Sequence, residues 1–338
     1  MNAQHLVFTA PYKVELQESA FDPKALAADE VAIQTQYSLI SPGTELACLS
    51  GKEWWAQPPF VPGYAGYGKV IATGDQVTDY KAGDKIFAYT QHSTHVKASA
   101  LMGHVPAGLD GKKACYARMA AVSITALQVS NANLGDYVAV FGLGLVGNLC
   151  AQLFALAGCE VIGIDLSESR RALAKRCGIP YVIDPAQGDL RAQVEAITGP
   201  ERCATVVEAT GVPAVALQTS QLAGKLGEVI LLGTPRGELQ TDITPFLQNI
   251  HLWGSGCVTF KGGHEWRTPV KRSKDGSPKH SIERNIDILL RLIDQGKLHV
   301  DEMITQVMSP RDAAAAYEGL RTCPEEYVGV VFDWSQLS

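Results

Sequence analysis

The stretch YVAVFGLGLVGNLCAQLFALAG, residues 137–158, decides the fold. It carries no charge and is long enough to cross a bilayer as a helix. However, three glycines, followed by Asn148 and Gln152, divide it into a short run rich in β-branched and aromatic residues and a helical run. We therefore expect a buried strand, a tight turn and a helix here, and no membrane span.

The turn in this stretch is GLGLVG, residues 142–147, whose glycines have the spacing GxGxxG. Gly142 permits the tight turn, Gly144 lets the backbone approach a pyrophosphate, and Gly147 lets the helix lie close to the strand. The helix N-terminus adds N–H groups that bind an anion. The alternative is a plain strand–helix turn without a ligand. The setting between a strand and a helix favours a dinucleotide-binding turn.

Asp165 ends the next apolar run, EVIGID, 23 residues after Gly142. A carboxylate at this position accepts hydrogen bonds from the adenosine ribose hydroxyls. Alternatively, it caps the helix that begins near Ser167. Because a carboxylate repels a 2′-phosphate, Asp165 predicts NAD rather than NADP. Arg170 and Arg171 keep NADP open as an alternative.

The runs on either side of this region indicate three parts. Residues 1–121 contain short alternating runs punctuated by Gly and Pro, which are typical of an irregular, barrel-like β domain. In residues 122–260, apolar strands alternate with helical stretches such as SESRRALAKRCG and AVALQTSQLAGK, which predicts a parallel sheet with crossover helices. Residues 261–338 start with a basic stretch and continue with two helices and a closing strand. We therefore expect two domains, as the length of 338 residues also indicates.

Composition narrows the class of protein. The formal charge of −6 argues against a nucleic-acid partner, which requires a concentrated basic face. The eight cysteines include no CxxC pair, so we expect reduced thiols in a cytoplasmic protein. The first residues show no basic start followed by an apolar run, which also favours the cytoplasm over secretion. Chemistry on a small molecule is the expected role.

The order of these parts resembles the medium-chain dehydrogenase/reductase superfamily, which includes the zinc alcohol and polyol dehydrogenases. VPGYAGYGKVIATG at 61–74 looks like the family's PGHEGxGxVxxxG, and GDKIFA at 83–88 looks like its GDRVxx. ATG at 209–211 and GSG at 254–256 look like the segments that pass the nicotinamide. The resemblance implies an α/β fold that combines a GroES-like β-barrel domain with a Rossmann-type, doubly wound parallel sheet. It also implies a homodimer or homotetramer.

The resemblance further implies that the family's catalytic zinc is absent. That zinc is usually held by a Cys in a CGTD-like motif, a His in GHE and a later Cys, Glu or Asp. The corresponding residues in this sequence are Pro42 in YSLISPGTELA, Tyr64 in GYA and Ala121 in MAAVSIT, none of which binds zinc. The family's four-cysteine structural lobe is also missing from residues 88–105.

A rebuilt metal site is the alternative. His92 and His95 have the spacing HxxH, and Cys48 and Glu45 lie upstream. Imidazole with thiolate or carboxylate suits zinc. Against this, alternation along a strand turns the two rings to opposite faces. We therefore predict no metal.

The site residues in the first domain follow from the resemblance. Thr44 matches the residue whose hydroxyl relays the substrate proton, and it is otherwise a turn-capping Thr. Tyr64 is predicted to face the substrate as a base, although half-buried packing would also suit a Tyr. The predicted catalytic residues are Thr44, Tyr64, His92 and His95, and the predicted substrate contacts are Glu45, Trp54 and Trp55.

The predicted cofactor contacts lie in the second domain. They combine the glycine turn, the carboxylate after the second strand and the segments identified by resemblance. They are Thr125, Gly142, Gly144, Leu145, Val146, Gly147, Asp165, Leu166, Arg170, Thr210, Gly233, Gly254 and Ser255. The basic stretch 261–284 is either a solvated loop or a segment that holds an anionic or polyhydroxylated substrate.

Taken with the resemblance, these features favour an NAD-dependent dehydrogenase that oxidises a secondary alcohol of a sugar, glycoside or cyclitol without zinc. One alternative is a metal-free reductase of quinones or enones, a role that usually favours NADPH. The other is a nucleotide-binding protein that has lost turnover, since a dinucleotide turn alone does not establish catalysis.

Overall fold

The computed structural model describes residues 1–273 and 275–337, and the chain divides into two compact units. Residues 1–118 and the residues from 268 onward form one, which we call the terminal unit. Residues 119–267 form the other, the central unit. The predicted boundaries were placed after residues 121 and 260, and the units change after residues 118 and 267.

The secondary structure alternates short strands with helices. The strands are β1 (Asn2–Ala10), β2 (Lys13–Ala20), β3 (Val31–Leu39), β4 (Gly66–Thr73), β5 (Lys85–Ala88), β6 (His95–Ala98), β7 (Met102–His104), β8 (Tyr137–Phe141), β9 (Glu160–Ile164), β10 (Tyr181–Ile183), β11 (Cys203–Glu208), β12 (Ala223–Leu231), β13 (Thr259–Gly262), β14 (Ile304–Met308) and β15 (Gly329–Asp333). The helices are α1 (Pro42–Leu49), α2 (Gly111–Ala114), α3 (Ala117–Val129), α4 (Leu145–Leu156), α5 (Glu168–Arg176), α6 (Leu190–Thr198), α7 (Pro213–Thr219), α8 (Thr244–His251), α9 (Ile282–Asp294) and α10 (Ala313–Thr322). Short 3₁₀ turns lie at Trp253–Ser255, Glu265–Arg267, Asp301–Met303, Pro310–Asp312 and Trp334–Leu337.

The central unit contains a parallel sheet with the strand order β10-β9-β8-β11-β12-β13. The order reverses between β8 and β11, as in a doubly wound dinucleotide-binding sheet. Alternate residues of β8 belong to different cores: Val138 and Val140 to one, Ala139 and Phe141 to the other. Both faces of the sheet are therefore covered, which explains the continuous apolar run of this strand.

The stretch 137–158 forms β8, the glycine turn and α4, as predicted. None of the helices in the described residues combines the length with the apolar character that crossing a bilayer requires.

The terminal unit is built mainly from antiparallel strands. β1 and β2 form a hairpin. The larger sheet has the order β14-β15-β3-β4-β5-β7, with β6 pairing with β3. β15 pairs antiparallel with β3, Val331 opposite Leu39. The end of the chain therefore completes a sheet that the first hundred residues begin.

One helix lies where the sequence analysis predicts no element, and two elements differ from the predictions. The stretch after Ser41 is a helix, α1, with Pro42 in its first turn, where proline has no N–H to leave unpaired. The predicted helix AVALQTSQLAGK ends at Thr219, and its last residues begin β12, because Ala223 is buried in the sheet core. The basic stretch was predicted to be a loop from residue 261, yet Lys261 and Gly262 belong to β13. Residue 274 of that stretch lies outside the described residues.

Candidate functional site

The glycine turn of the central unit is fixed by its own packing. Gly142 has φ +84°, a left-handed conformation that a side chain would strain. A Cβ atom on Gly147 would overlap the carbonyl oxygen of Gly142. By contrast, a Cβ atom on Gly144 would meet no atom within 4 Å. Two of the three glycines are therefore required by the fold, and the third borders open space.

The N-terminus of α4 is open toward that space. Its N-cap is Gly144, so no side chain satisfies the first N–H groups of the helix. No acidic residue lies in the first turn either. Leu145 and Val146 form this turn, and the Val146 carbonyl accepts a hydrogen bond from Ser123 at 2.8 Å. Unpaired N–H groups together with the helix dipole suit the pyrophosphate of a dinucleotide.

Asp165 connects the glycine turn to the start of α5. Its Oδ2 accepts a hydrogen bond from the Leu143 backbone at 2.7 Å, and its Oδ1 accepts one from Ser167 at 2.8 Å. The cap of α5 is made by the Ser167 hydroxyl, which accepts from the Arg170 backbone. Each carboxylate oxygen has a second lone pair that remains able to accept a ribose hydroxyl.

The two arginines that kept NADP open have partners within the unit. Arg171 pairs with Asp184 at 3.1 Å and donates to the carbonyls of Asp165 and Leu166. Arg170 lies 3.9 Å from the Asp165 carboxylate. Their positive charge therefore faces carboxylates of the same unit.

Glu208 is a buried residue that the sequence reasoning missed. Its carboxylate accepts hydrogen bonds from the backbone and hydroxyl of Thr210 and from the Gly211 backbone. Its carbonyl accepts from Gly233 at 2.8 Å, and a Cβ atom on Gly233 would overlap the backbone of Gly211. Thr210 and Gly233 therefore lie together where β11 and β12 end, at the same edge of the sheet as the glycine turn. A Glu inside the apolar run TVVEATG was the available signal.

Three residues that the sequence predicts to contact the cofactor have other surroundings in the structure. The Gly256 carbonyl accepts a hydrogen bond from Leu226, near the start of β12, so the turn containing Gly254 and Ser255 lies at the opposite edge of the sheet. Thr125 is buried in α3, where its hydroxyl donates to the Ala121 carbonyl at 3.3 Å. Gly254 and Ser255 therefore lie away from the glycine turn, and the Thr125 hydroxyl is hydrogen-bonded within its own helix.

In the terminal unit, α1 points Glu45 into a polar cluster. The Glu45 side chain is 2% exposed. Its Oε1 accepts from the Ser41 backbone at 2.8 Å, and its Oε2 lies 3.0 Å from His92 Nε2 and accepts from the Tyr317 hydroxyl. The predicted substrate contact through Glu45 is therefore corrected: both carboxylate oxygens bind groups of the protein.

His92 is enclosed by the same cluster. Its Nδ1 lies 2.8 Å from the Ser38 hydroxyl, which accepts from the Trp334 indole at 2.8 Å. Since an indole only donates, the set is complete when Ser38 donates to Nδ1 and Nε2–H donates to Glu45. Both ring nitrogens are therefore hydrogen-bonded within the protein, and neither is open to a substrate.

His95 lies apart from His92. It is the first residue of β6, where its ring centre lies 5.3 Å from that of Phe21 with the two rings tilted, and its Nδ1 lies 3.1 Å from the Thr94 hydroxyl. Burial lowers the pKa of His95, and the charge of the chain's N-terminus lowers it further. The two predicted histidines therefore occupy separate environments.

Tyr64 lies beside the cluster, near the α1 turn. It donates to the Ser41 hydroxyl, and the Thr44 hydroxyl lowers the pKa of Tyr64 slightly. Burial raises the pKa of Tyr64; Arg118 lowers it and Glu45 raises it. The net effect is a raised pKa, so the expectation of a phenol ready to act as a base at neutral pH is corrected.

The residues present do not fit a zinc ion. Pro42 lies in the first turn of α1, and the Tyr64 phenol donates to the Ser41 hydroxyl. Cys48 is buried in the apolar core. In residues 1–273 and 275–337, no group of three or more His, Cys, Asp or Glu side chains is arranged to hold a metal.

The two predicted tryptophans lie on the loop after α1. Trp54 is 86% exposed, and Trp55 packs its ring edge on Phe60 at 5.8 Å. The Trp55 indole donates to Glu53 at 3.1 Å. Trp54 therefore offers an open aromatic face, whereas Trp55 is partly held by its neighbours.

Known proteins match both units. Residues 27–160 match the family described as the alcohol dehydrogenase GroES-like domain, and residues 146–274 match the family described as zinc-binding dehydrogenase. D-guloside 3-dehydrogenase of Escherichia coli (strain K12) is 28% identical over 234 residues, which cover 61% of this chain and 66% of that relative's length. An alcohol dehydrogenase of Moraxella sp. (strain TAE123) is 25% identical over 84% of this chain and 94% of that relative.

A solved structure shares the fold. Galactitol-1-phosphate dehydrogenase from Escherichia coli superimposes with a TM-score of 0.82 at 18% identity, covering 98% of this chain and 99% of that one. Because the two family models together span residues 27–274, and the sheet order and glycine turn agree with them, the chain belongs to the medium-chain dehydrogenase/reductase superfamily.

Proposed function

We propose that this chain is an NAD-dependent dehydrogenase that oxidises a secondary alcohol of a sugar, glycoside or cyclitol without a catalytic zinc. The observation that carries the proposal is the glycine turn, where Gly142 and Gly147 are required by packing and Gly144 borders open space. Such a turn before the open N-terminus of α4 suits a dinucleotide. Membership of a dehydrogenase superfamily supports the reaction class.

The substrate class rests on relatives and on one surface. The D-guloside relative is named for a glycoside, and it matches 61% of this chain. Trp54 presents an aromatic face that suits the C–H groups of a sugar ring. We therefore expect a polyhydroxylated substrate, with Trp54 and Trp55 as its contacts.

NAD is preferred to NADP because of charge. The Asp165 carboxylate is fixed beside the glycine turn by Leu143 and Ser167. A 2′-phosphate there would meet a negative charge, and Arg171 already pairs with Asp184.

Alcohol oxidation removes a hydride and a proton. The bound nicotinamide would accept the hydride. We propose that Thr44 and Tyr64 hold the substrate oxygen and that the proton moves to the Tyr64 hydroxyl oxygen. Because burial raises the pKa of Tyr64, the phenolate is a minor form at neutral pH, and its fraction increases as the pH rises. Oxidation should therefore be favoured by alkaline pH.

A single screen tests the proposal. The purified protein with NAD is assayed against polyols, free sugars, glycosides and cyclitols by the absorbance of reduced nicotinamide, with and without a metal chelator. Chelator-resistant turnover of a secondary alcohol supports it. NADPH-dependent loss of a quinone or enone would favour the reductase instead, and tight NAD binding with no turnover would favour a non-catalytic role. Light scattering in the same buffer tests the homodimer or homotetramer that we also propose.

A further inference from the structure

The geometry points to Arg118 as the fixed positive charge that stabilises the phenolate form of Tyr64. This inference rests on the proposed function only in giving Tyr64 a role as proton acceptor. Arg118 lies in the first turn of α3 and is 7% exposed. Its guanidinium carbon lies 4.6 Å from the centre of the Tyr64 ring and 4.3 Å from that of Tyr89. We assign it as a positioning residue that acts through Tyr64.

Two aromatic rings hold this cation in place. Distances below about 6 Å from a cation to a ring centre are attractive, and the attraction grows as water is excluded. Tyr89 follows β5 and packs against Phe87 at 5.7 Å, edge to face. The guanidinium therefore has a fixed position beside Tyr64, and no reorganisation is needed when the phenol loses its proton.

The charges near Tyr64 oppose one another. Arg118 favours the phenolate, whereas Glu45 and burial disfavour it. Tyr317 and His92 both hydrogen-bond to the Glu45 carboxylate. These bonds delocalise the negative charge of Glu45 away from Tyr64. Arg118 is thus the cation that offsets part of the cost of burying a phenolate.

The first turn of α3 carries Arg118, which has an electrostatic role in this arrangement. The sequence resemblance places the third zinc ligand of other members at Ala121, and Arg118 lies three residues earlier. A metal ion lowers the pKa of a bound oxygen through its positive charge. Here a guanidinium supplies the positive charge at the phenol that replaces a zinc-binding His.

The size of the effect follows from the separation. For a unit charge at about 4.6 Å, the distance of the guanidinium carbon from the ring centre, and an effective dielectric constant of about 20, Coulomb's law gives a change of a few hundredfold in the ionisation constant. This corresponds to a shift of between about two and three pH units. The shift should appear in the free protein, without cofactor or substrate.

The experiment follows Tyr64 directly. Fluorotyrosine, whose phenol is more acidic, is incorporated, and the ¹⁹F resonance that disappears in Tyr64→Phe is titrated with pH. Arg118→Met should raise its midpoint by about two to three pH units. Arg118→Lys retains a cation and should raise the midpoint by less than about one pH unit. This variant serves if Arg118→Met does not fold. Lys112→Met is the matched control, because Lys112 lies 5.7 Å from the Tyr37 ring, and it should leave the midpoint unchanged.

A second readout is the pH profile of turnover on a substrate found in the screen. In Arg118→Met, the increase of kcat with pH should shift to higher pH, and KM should stay nearly unchanged. A raised KM with an unchanged pH dependence of kcat would instead assign Arg118 to substrate binding and overturn the inference. An unmoved ¹⁹F midpoint in a folded Arg118→Met protein would overturn it as well. A moved midpoint in a protein with no turnover would support the electrostatic role while contradicting the proposed function.

Discussion

Alanine substitutions at Gly144 and Gly147 should separate cofactor binding from folding. The two residues lie three positions apart in the same turn, so each variant adds one methyl group to one loop. At Gly144 the backbone angles are φ −65° and ψ −172°, which alanine adopts without strain. Its Cβ atom would meet no protein atom within 4 Å. The methyl group would therefore enter only the space that we assign to the pyrophosphate.

The two variants should change the free energy of unfolding in different directions. Gly144→Ala should leave the stability unchanged or raise it by about 0.4–1 kcal/mol, because alanine restricts the unfolded chain. It should weaken NAD at least about tenfold, or 1.4 kcal/mol, since the backbone can no longer approach the phosphates. Gly147→Ala would force α4 away from the Gly142 carbonyl and should cost about 2 kcal/mol or more in stability.

Thermal unfolding and calorimetric titration with NAD measure the two quantities on the same preparations. Gly188→Ala gives the cost of a strained glycine outside the turn, because Gly188 has φ +94° and its Cβ atom would meet nothing. Parental NAD affinity in Gly144→Ala would refute the assignment of the open space to the pyrophosphate. Unchanged stability in Gly147→Ala would refute the packing argument.

Three further predictions concern named side chains. Asp165→Asn should weaken NAD by about 1.5–3 kcal/mol and strengthen NADP relative to NAD, as calorimetry with both cofactors would detect; equal affinity of the parent protein for both would contradict the charge argument. Tyr317→Phe removes a buried hydrogen bond to Glu45 and should cost about 1.5–3 kcal/mol in urea unfolding, whereas Tyr12→Phe at an exposed position should change stability by less than about 0.5 kcal/mol. Tyr64→Phe should lower turnover about 10²–10⁴-fold with unchanged NAD affinity, and parental turnover would place the base elsewhere.

The central unit follows from local patterns in the sequence. A strand, a glycine turn and a helix each have a period or a spacing that operates within about 25 residues, and Asp165 lies one strand away. The structure places these residues at one edge of the sheet, between the ends of β8 and β9. By contrast, Gly254 and Ser255 were assigned from a short motif alone. The position of that motif depends on where β13 begins, and the sequence analysis predicts no strand at Thr259–Gly262.

The terminal unit was less predictable because its polar contacts are distant in sequence. Glu45 meets His92, 47 residues away, and Tyr317, 272 residues away. In isolation, Glu45 reads as an exposed carboxylate in a PGTE turn. Only the return of the chain to the first domain brings Tyr317 and Trp334 to the cluster. Residue spacing contains no information about such pairs, which is why a substrate role was predicted for a side chain that the fold buries.

The buried cluster also decides which group can set the pH dependence of the reaction. Both oxygens of the Glu45 carboxylate are hydrogen-bonded, to Ser41, His92 and Tyr317, and both nitrogens of His92 are hydrogen-bonded. Both side chains are buried, and their polar atoms bind groups of the protein. The remaining proton carriers at the α1 turn are hydroxyl groups, and the most acidic of them is the Tyr64 phenol, whose pKa is raised by burial. The oxidation rate should therefore rise about tenfold per pH unit through the neutral range without reaching a plateau there. A plateau reached near pH 6.5, the ordinary range of an imidazole, would show that a histidine carries the proton and that the role given to Tyr64 is wrong.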